Sequence, residues 1–353
     1  FLVFLMAVIK AVDEYADLMR ISASSAGNDH RLGGNEAPPA IVSIFLGDEL
    51  TAVLKSIEED TYFGEHQKGQ LETGAHVLPH FVKDNTDRNR TSPFAFTGNK
   101  FEFRMLGSSA SVATPNIILN TAVAEALSQF AKELEGTAPE EMEHAVHELI
   151  KRAVKKHKKV IFNGNGYTEE WIEEAKKRGL YNLVSTPDCL PQFIADKNVE
   201  LFTKHHIFTK EEIFSRYEIL LENYVKTISI EAKTMKEMLA KDFLPAVERY
   251  AAAVSDNMRS MKALAPSVPT ASAASLVAFL GEAYEKISSS LDVLEKEIQE
   301  TDKKTSMQEA ADYCHNTLLA SMEELRKTAD EAEAKIPDEE LPYPTYDALL
   351  FSV

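Results

Sequence analysis

Apolar side chains recur at alternating steps of three and four along the first twenty residues. They are Phe1, Leu5, Val8, Val12, Tyr15 and Met19. This spacing predicts a helix with one face packed on a core. The run from Phe1 to Ile9 also resembles the start of a signal or membrane segment, but Lys10 and Asp13 interrupt it well short of the roughly 20 residues that a span needs. We therefore expect a core helix and, because no initiator Met precedes it, a chain that begins inside a larger protein.

The next segments alternate between loop and strand patterns. Residues 24–39 are polar and rich in Gly and Pro, which predicts a long binding loop. Residues 40–46 predict a short buried strand, and residues 89–104 show strand-like alternation. In Lys100–Arg104 the period of two sends both Phe side chains to one face and the three charged side chains to the other. The Gly98-Asn99 pair before it predicts a hairpin turn.

Helical periodicity dominates the rest of the chain. One helix is predicted over residues 114–134, and a capping box at Thr209–Glu212 predicts the start of a long one. Three helical stretches, at about residues 230–261, 272–300 and 305–334, indicate an antiparallel bundle. The Asn-Gly repeat at residues 163–166 is interpreted as a turn, because no Gly-Lys-Ser/Thr sequence follows it. The two-proline tail that begins at Leu341 ends apolar, so we expect it to dock on some surface.

Composition narrows the class of protein. With 353 residues, 44% of them hydrophobic, the chain can bury two domain cores. The net charge is 38 − 56 = −18, with acidic residues spread along helices, which argues against nucleic-acid binding, and no membrane span is expected. The two cysteines, Cys189 and Cys314, lack metal-ligand spacing and suit a reducing compartment, so the expected location is the cytoplasm.

Basic residues gather around the predicted hairpin in this otherwise acidic protein. They are Arg88, Arg90, Lys100 and Arg104, with Glu102 among them. Alone, the charged strand would be read as half-exposed with cross-strand ion pairs. Together, these side chains suit phosphate and carboxylate groups with a divalent metal, the requirements of phosphoryl transfer. The irregular spacing of His30, His66, His76 and His80 indicates surface or packing roles and no metal site.

Two motifs resemble a known family. Asn89-Arg90 followed by Glu102 and Arg104 resembles the catalytic core of glutamine synthetases, and RLGGNEAP, beginning at Arg31, resembles their glutamate flap. The sequences around both motifs resemble those of the type III branch of this family. The resemblance implies an α+β fold in which residues 1–235 are the carboxyl-terminal part of a catalytic domain, an antiparallel sheet with helices. Residues 236–353 would follow as a mainly helical bundle.

The resemblance also implies roles for individual residues. Glu102 would bind the catalytic divalent ion, while Arg104 and Arg31 would contact the glutamate substrate. Glu36 on the flap would shield the site and take a proton from ammonium. Arg90 would stabilise the phosphoryl group as it leaves ATP.

The sequence departs from the family at two positions. Lys100 stands where the family usually has a nucleotide-contacting Arg, and a Lys offers a point charge rather than a bidentate fork. Ala95 stands where the family has a second Arg. Arg88 could take over that task, or it could be an exposed loop residue.

The implied activity is ATP-dependent ligation of ammonia to L-glutamate through a γ-glutamyl phosphate, with Mg²⁺ or Mn²⁺. A homo-oligomeric ring, a dodecamer by resemblance, is also implied. Because the family's other metal ligands would lie upstream of Phe1, this fragment alone is expected to be inactive. Two alternatives stay open: a non-catalytic regulator that kept the fold, and a helical interaction module for which residues 230–353 are the working part.

Overall fold

A computed structural model describes residues 1–34, 37–61, 70–71, 81–82 and 91–351. Helices make up most of it. The helices are α1 Leu2–Glu14, α2 Ala16–Ser22, α3 Ala26–Arg31, α4 Gly47–Glu59, α5 Ala113–Leu134, α6 Met142–His157, α7 Glu169–Lys177, α8 Thr186–Cys189, α9 Asp196–Lys204, α10 Lys210–Met238, α11 Leu244–Leu264, α12 Ala271–Thr301, α13 Met307–Tyr313, α14 Leu319–Glu333 and α15 Tyr346–Phe351. The strands are β1 Ile44–Phe45, β2 Gln70–Leu71, β3 Phe81–Val82, β4 Phe94–Phe96 and β5 Phe101–Phe103.

Two compact units divide the chain at residues 1–220 and 221–353. In the first unit, α1 packs against α5 and α6, and its buried side chains include Leu5 and Val12. The predicted core helix is confirmed, with two corrections. Phe1 is exposed rather than buried, and the helix breaks at Tyr15, where the backbone leaves helical geometry before α2 begins. Among the described residues, no helix combines the length and apolarity needed to cross a membrane.

The loop expected over residues 24–39 contains a short helix, α3. Ser25 caps its start by accepting a hydrogen bond from the backbone of Asn28 at 3.2 Å. Ser, Asn and Asp favour such caps because their side chains satisfy the unpaired amides of a helix start. The interpretation of this stretch as loop throughout was therefore wrong, since the capping signal lies inside a Gly-rich sequence.

A three-stranded sheet in the order β1-β4-β5 supports the first unit. β4 and β5 form the expected hairpin, with Phe94 opposite Phe103 and Ala95 opposite Glu102. β1 pairs with β4 in parallel, so this sheet is mixed rather than antiparallel. β2 and β3 form a separate antiparallel pair. The buried strand expected over residues 40–46 shortens to Ile44–Phe45, although Ile41, Val42 and Leu46 are also buried.

The second unit is helical, with α12 packed against α11 and α14. Its helices confirm the three stretches expected from periodicity, and the capping box at Thr209 and Glu212 is present in both directions. π-Helical turns interrupt the helices at Leu239–Phe243 and Cys314–Leu318. The start of the tail docks, because the Tyr343 hydroxyl donates to the carbonyl of Met238 at 2.7 Å. Within this chain the expectation was wrong for its apolar end, since Leu350 and Phe351 are 80% and 83% exposed. The boundary expected between residues 235 and 236 stays a prediction.

Candidate functional site

The β4–β5 hairpin separates aromatic from charged side chains, as the period of two predicts. Phe94 stacks on Phe101 at 5.0 Å and lies 6.2 Å from Phe103, ring centre to ring centre. Glu102 projects to the opposite face. The turn between the strands uses Gly98 at φ +99°, a region that favours glycine. An aromatic layer thus anchors the strand that presents the charged side chains.

Glu102 lies between two cations. Arg104 approaches its carboxylate at 3.2 Å and Lys100 at 3.4 Å. The hydrogen bonds from Arg104 and Lys100 hold the pKa of Glu102 below its ordinary value despite partial burial. The carboxylate is therefore ionised at neutral pH, and 39% of the side chain is exposed. Lys100 is 66% exposed and can reach a bound anion.

Ala95 lies directly opposite Glu102 in the hairpin and is fully buried. This is the position at which the family resemblance calls for an Arg. The buried methyl group of Ala95 cannot do the work of a guanidinium. Among the described residues, the cations that pair with Glu102 are Arg104 and Lys100. Arg88, the suggested substitute, lies outside the described residues.

Arg31, at the end of α3, is tied to the chain immediately after Arg104. Its guanidinium donates to the carbonyl of Met105 at 2.8 Å and to that of Leu106 at 3.0 Å. Its Nε donates to the Asn28 side chain at 2.9 Å. Asn28 in turn donates to the Met105 carbonyl at 2.9 Å. The two arginines expected to contact the substrate are therefore held next to each other through the backbone.

A buried ion pair fixes α3 from its other side. Arg20, 1% exposed, donates to Asp29 on α3 at 3.0 Å and to the carbonyls of Leu183 and Val184 at 2.8 and 3.0 Å. Asp29 also accepts from the backbone and hydroxyl of Thr186 at 2.6 and 2.9 Å. Nothing in the local sequence marks this pair, because its partners lie more than a hundred residues away.

The Asn-Gly turn at residues 163–166 and the neighbouring Tyr167 contact the chain next to Arg90 and Glu36, two residues with expected catalytic roles. Asn163 accepts from the backbone amides of Leu46 and Gly47 at 3.0 and 3.2 Å and so caps α4. The amide of Gly166 donates to the Thr91 hydroxyl at 2.9 Å, and the hydroxyl of Tyr167 donates to the Ala37 carbonyl at 2.7 Å. The turn is structural, as interpreted.

Thr91 and Ala37 directly follow Arg90 and Glu36 in the sequence. Both of these expected catalytic residues lie outside the described part of the chain, as do His66, His76 and His80. Their roles stay predictions. Gly166 and Tyr167 thus hold the residues that directly follow Arg90 and Glu36 in the sequence.

Glu102 is the described residue of the hairpin that could bind a divalent ion. Glu102 supplies one ionised, accessible oxygen ligand, and Mg²⁺ in phosphate-handling sites commonly uses one or two carboxylates with substrate phosphates. The chemistry therefore fits one ligand of such an ion. A separate group, Asp60, His147 and Glu148, brings its ligand atoms within 4.8 Å of one another, but Lys151 already pairs with Asp60.

Comparisons with known proteins show which family this chain resembles. Residues 145–262 match the family described as the glutamine synthetase C-terminal domain. Over its whole length the chain is 48% identical to a glutamine synthetase of Butyrivibrio fibrisolvens, of which it covers 50%. It is 39% identical to a type-3 glutamine synthetase of Dictyostelium discoideum, covering 99% of this chain and 48% of that protein. A glutamine synthetase of Bacteroides fragilis is 34% identical, with 100% of this chain and 50% of that protein covered.

The chain thus spans about half the length of the curated relatives it matches. The matched segments confirm the resemblance inferred from the two motifs, and the chain belongs to the glutamine synthetase family.

Proposed function

We propose that this chain is part of an ATP-dependent ligase that joins ammonia to L-glutamate, with its site at the β4–β5 hairpin. One observation carries the proposal. Glu102 is held ionised between Lys100 and Arg104, and Arg31 is fastened to the backbone immediately after Arg104. In support, a carboxylate of the type that binds divalent ions lies beside cations suited to phosphate and carboxylate groups.

Each described residue has a definite part in the proposal. Glu102 would hold the divalent ion, Mg²⁺ or Mn²⁺, which when bound neutralises phosphate oxygens. Lys100, the more exposed cation, would contact the nucleotide phosphates. Arg104 and Arg31 would orient the glutamate carboxylate, Arg31 partly by fixing the backbone that carries Arg104.

The chemistry requires an activated carboxylate, because a free carboxylate is a poor acyl donor. A side-chain oxygen of glutamate attacks the terminal phosphorus of ATP, the bond to ADP breaks, and γ-glutamyl phosphate forms. Ammonia then attacks the acyl carbon, inorganic phosphate leaves with the bonding electrons, and glutamine results. Arg90 would neutralise the moving phosphoryl group, and Glu36 would accept the proton lost by ammonium. A flap over the site would exclude water from the acyl phosphate.

The experiment uses the complete polypeptide that contains this chain, because its relatives are about twice as long. We expect ATP- and glutamate-dependent glutamine formation that Glu102→Gln lowers by about 100-fold, with a raised Mg²⁺ requirement, as for loss of a metal ligand. Glu140→Gln, an exposed charge change outside the hairpin, is the matched control and should leave the rate unchanged.

Unchanged activity in Glu102→Gln would overturn the metal assignment. No glutamine formation by the unaltered polypeptide would favour the non-catalytic regulator instead. The homo-oligomeric ring, the dodecamer and the cytoplasmic location are further parts of the proposal. Sedimentation of the complete polypeptide tests the ring.

A further inference from the structure

A cavity of about 600 Å³ lies within the second unit. It is open to solvent and is lined by residues of the end of α10, the π-helical turn Leu239–Phe243, α14 and the tail. Six apolar side chains among the lining residues are buried or half-buried, and we call them the floor: Met235, Leu239, Phe243, Ala329, Ile336 and Leu341. Pockets for small organic ligands typically measure about 300–1,000 Å³ and are mostly apolar, with a few polar groups at defined positions.

The π-helical turn gives the cavity part of its floor. Pro245 has no amide hydrogen, so the regular helical hydrogen-bond pattern cannot run through this position. The amide of Leu244 instead donates to the carbonyl of Leu239, five residues back. Both Leu239 and Phe243, the ends of the turn, line the cavity. Such turns are costly and occur often at functional sites.

The tail segment 341–346, here termed the strap, covers one side of the cavity. The Tyr343 hydroxyl donates to the Met238 carbonyl at 2.7 Å and lies 3.2 Å from the Asp242 carboxylate. Burial and the neighbouring Asp242 raise the pKa of Tyr343 to about 12, so the hydroxyl stays protonated and able to donate. Arg326 donates to the Tyr346 hydroxyl at 2.9 Å. The strap is thus held at both its middle and its end.

The rim of the cavity is negatively charged. Asp330, Glu333 and Asp338 line it together with one cation, Arg326. Arg326 pairs with Asp330 at 3.3 Å. Glu333 and Asp338 therefore leave two further negative charges at the mouth of an apolar cavity. A ligand that complements this surface has an apolar body and a positive charge at one end.

We propose that this cavity binds a small organic amine, with an aromatic or branched apolar body on the floor and its ammonium group between Glu333 and Asp338. The ammonium donates up to three hydrogen bonds, and carboxylates accept them. An anion of the same shape is disfavoured by the rim. The proposal does not rest on the ligase reaction, since it concerns residues of the second unit alone.

Tryptamine is the probe, measured by titration calorimetry with the full chain. We expect one site per chain, with binding about five-fold weaker in the Glu333→Gln/Asp338→Asn double variant, as expected for two partly exposed charge pairs. Glu331→Gln/Glu339→Gln is the matched control, because both residues are exposed neighbours that do not line the cavity. Tryptophol, the neutral alcohol of the same shape, should bind more weakly and equally to both double variants.

A second measurement locates the site. Bound tryptamine should slow chymotrypsin cleavage after Tyr346, at the end of the strap, several-fold in the unaltered chain and in the control variant, but less in the Glu333→Gln/Asp338→Asn variant. Ala329→Phe, which fills the floor, should abolish binding if its circular dichroism matches the unaltered chain. Absence of tryptamine binding at millimolar concentration, or equal binding by both double variants, would overturn the proposal.

Discussion

Glu125 on α5 is a buried carboxylate, 5% exposed, that three side chains surround. Lys204 and His205 approach it at 2.6 and 2.7 Å, and Gln129 donates to it at 2.6 Å. Burial raises the pKa of this group, but the hydrogen bonds from Lys204, Gln129 and His205 outweigh it and lower the pKa from 4.5 to about 2. Glu125 therefore joins α5 to the end of α9 as an ionised group.

Replacing Glu125 with Gln should make stability less dependent on acid pH. Because the folded pKa is depressed, the group stabilises the fold above pH 4.5, and this contribution is lost as the pH falls toward 2. We expect Glu125→Gln to lower the free energy of unfolding by about 2–3 kcal/mol near pH 6 and by roughly half as much at pH 3. Urea unfolding at pH 6, 4.5 and 3 measures the difference.

Glu222→Gln is the control, since its pair with Lys226 is exposed and should change stability by less than about 0.5 kcal/mol. A difference between Glu125→Gln and the unaltered chain that stays constant with pH would contradict the ionised state assigned to Glu125.

The sequence predicted which side chains form the charged face of the hairpin, but not which groups they or their neighbours contact. The sequence identified Glu102, Arg104 and Lys100 as a charged face because period two is a local property. It could not show that the Arg31 guanidinium donates to backbone carbonyls more than seventy residues away. The burial of Arg20 also escaped prediction, because an Arg near the end of a short helix is usually exposed and its carbonyl partners, Leu183 and Val184, lie far away in the sequence.

At the scale of elements, the turn at residues 163–167 joins segments that are distant in sequence. It caps α4 and holds the chain next to Glu36 and Arg90, the two expected catalytic residues outside the described part. Gly166 makes this possible because its α-carbon approaches the backbone closely. A β-carbon there would lie 2.8 Å from the carbonyl oxygen of Thr91 and 3.2 Å from the ring of Pro39.

Gly166→Ala should therefore destabilise the protein by about 2 kcal/mol. The new β-carbon would meet the backbone carbonyl of Thr91, which yields less easily than the end of a flexible side chain. Gly27→Ala is the matched control. Gly27 lies in α3 with open space around its α-carbon, so Ala there should stabilise by about 0.5–1 kcal/mol. Urea unfolding of both variants measures the two opposite signs. A neutral Gly166→Ala would show that the turn can yield.

Elements set by local signals were predicted well. Gly98-Asn99 and period two gave the β4–β5 hairpin, and capping signals gave the start of α10. The parallel pairing of β1 with β4 was missed, because nothing local links strands about fifty residues apart. The helix α3 was missed because Gly27 inside it and the pair Gly33-Gly34 after it suggested a loop and masked the cap at Ser25.

The whole molecule divides into two units with separate buried cores, residues 1–220 and 221–353. The segment matched to the glutamine synthetase C-terminal domain, residues 145–262, includes the division between them. The boundary expected from the family resemblance, between residues 235 and 236, stays a prediction, because helical periodicity continues through α10 and marks no boundary by itself. Separate cores allow separate unfolding transitions.

The single tryptophan of the chain allows the unfolding of the first unit to be followed separately. Trp171 is 1% exposed and belongs to the first unit, so its fluorescence reports that unit, while circular dichroism reports helices of both. Ile287→Ala, in the core of the second unit, should cost about 2–5 kcal/mol there. We expect urea unfolding of this variant to show an earlier loss of helix signal with an unchanged fluorescence midpoint.

Ile118→Ala, equally buried in the first unit, is the reciprocal variant and should lower the fluorescence midpoint. Because α10 runs through the division at residue 220, a continuous helix could instead pass the effect of one core to the other. Equal shifts of the fluorescence and helix midpoints in Ile287→Ala would then show that both cores unfold in one cooperative transition. Separate midpoints would mean that ligands of the second unit, such as the amine proposed for its cavity, stabilise that unit without changing the stability of the hairpin site.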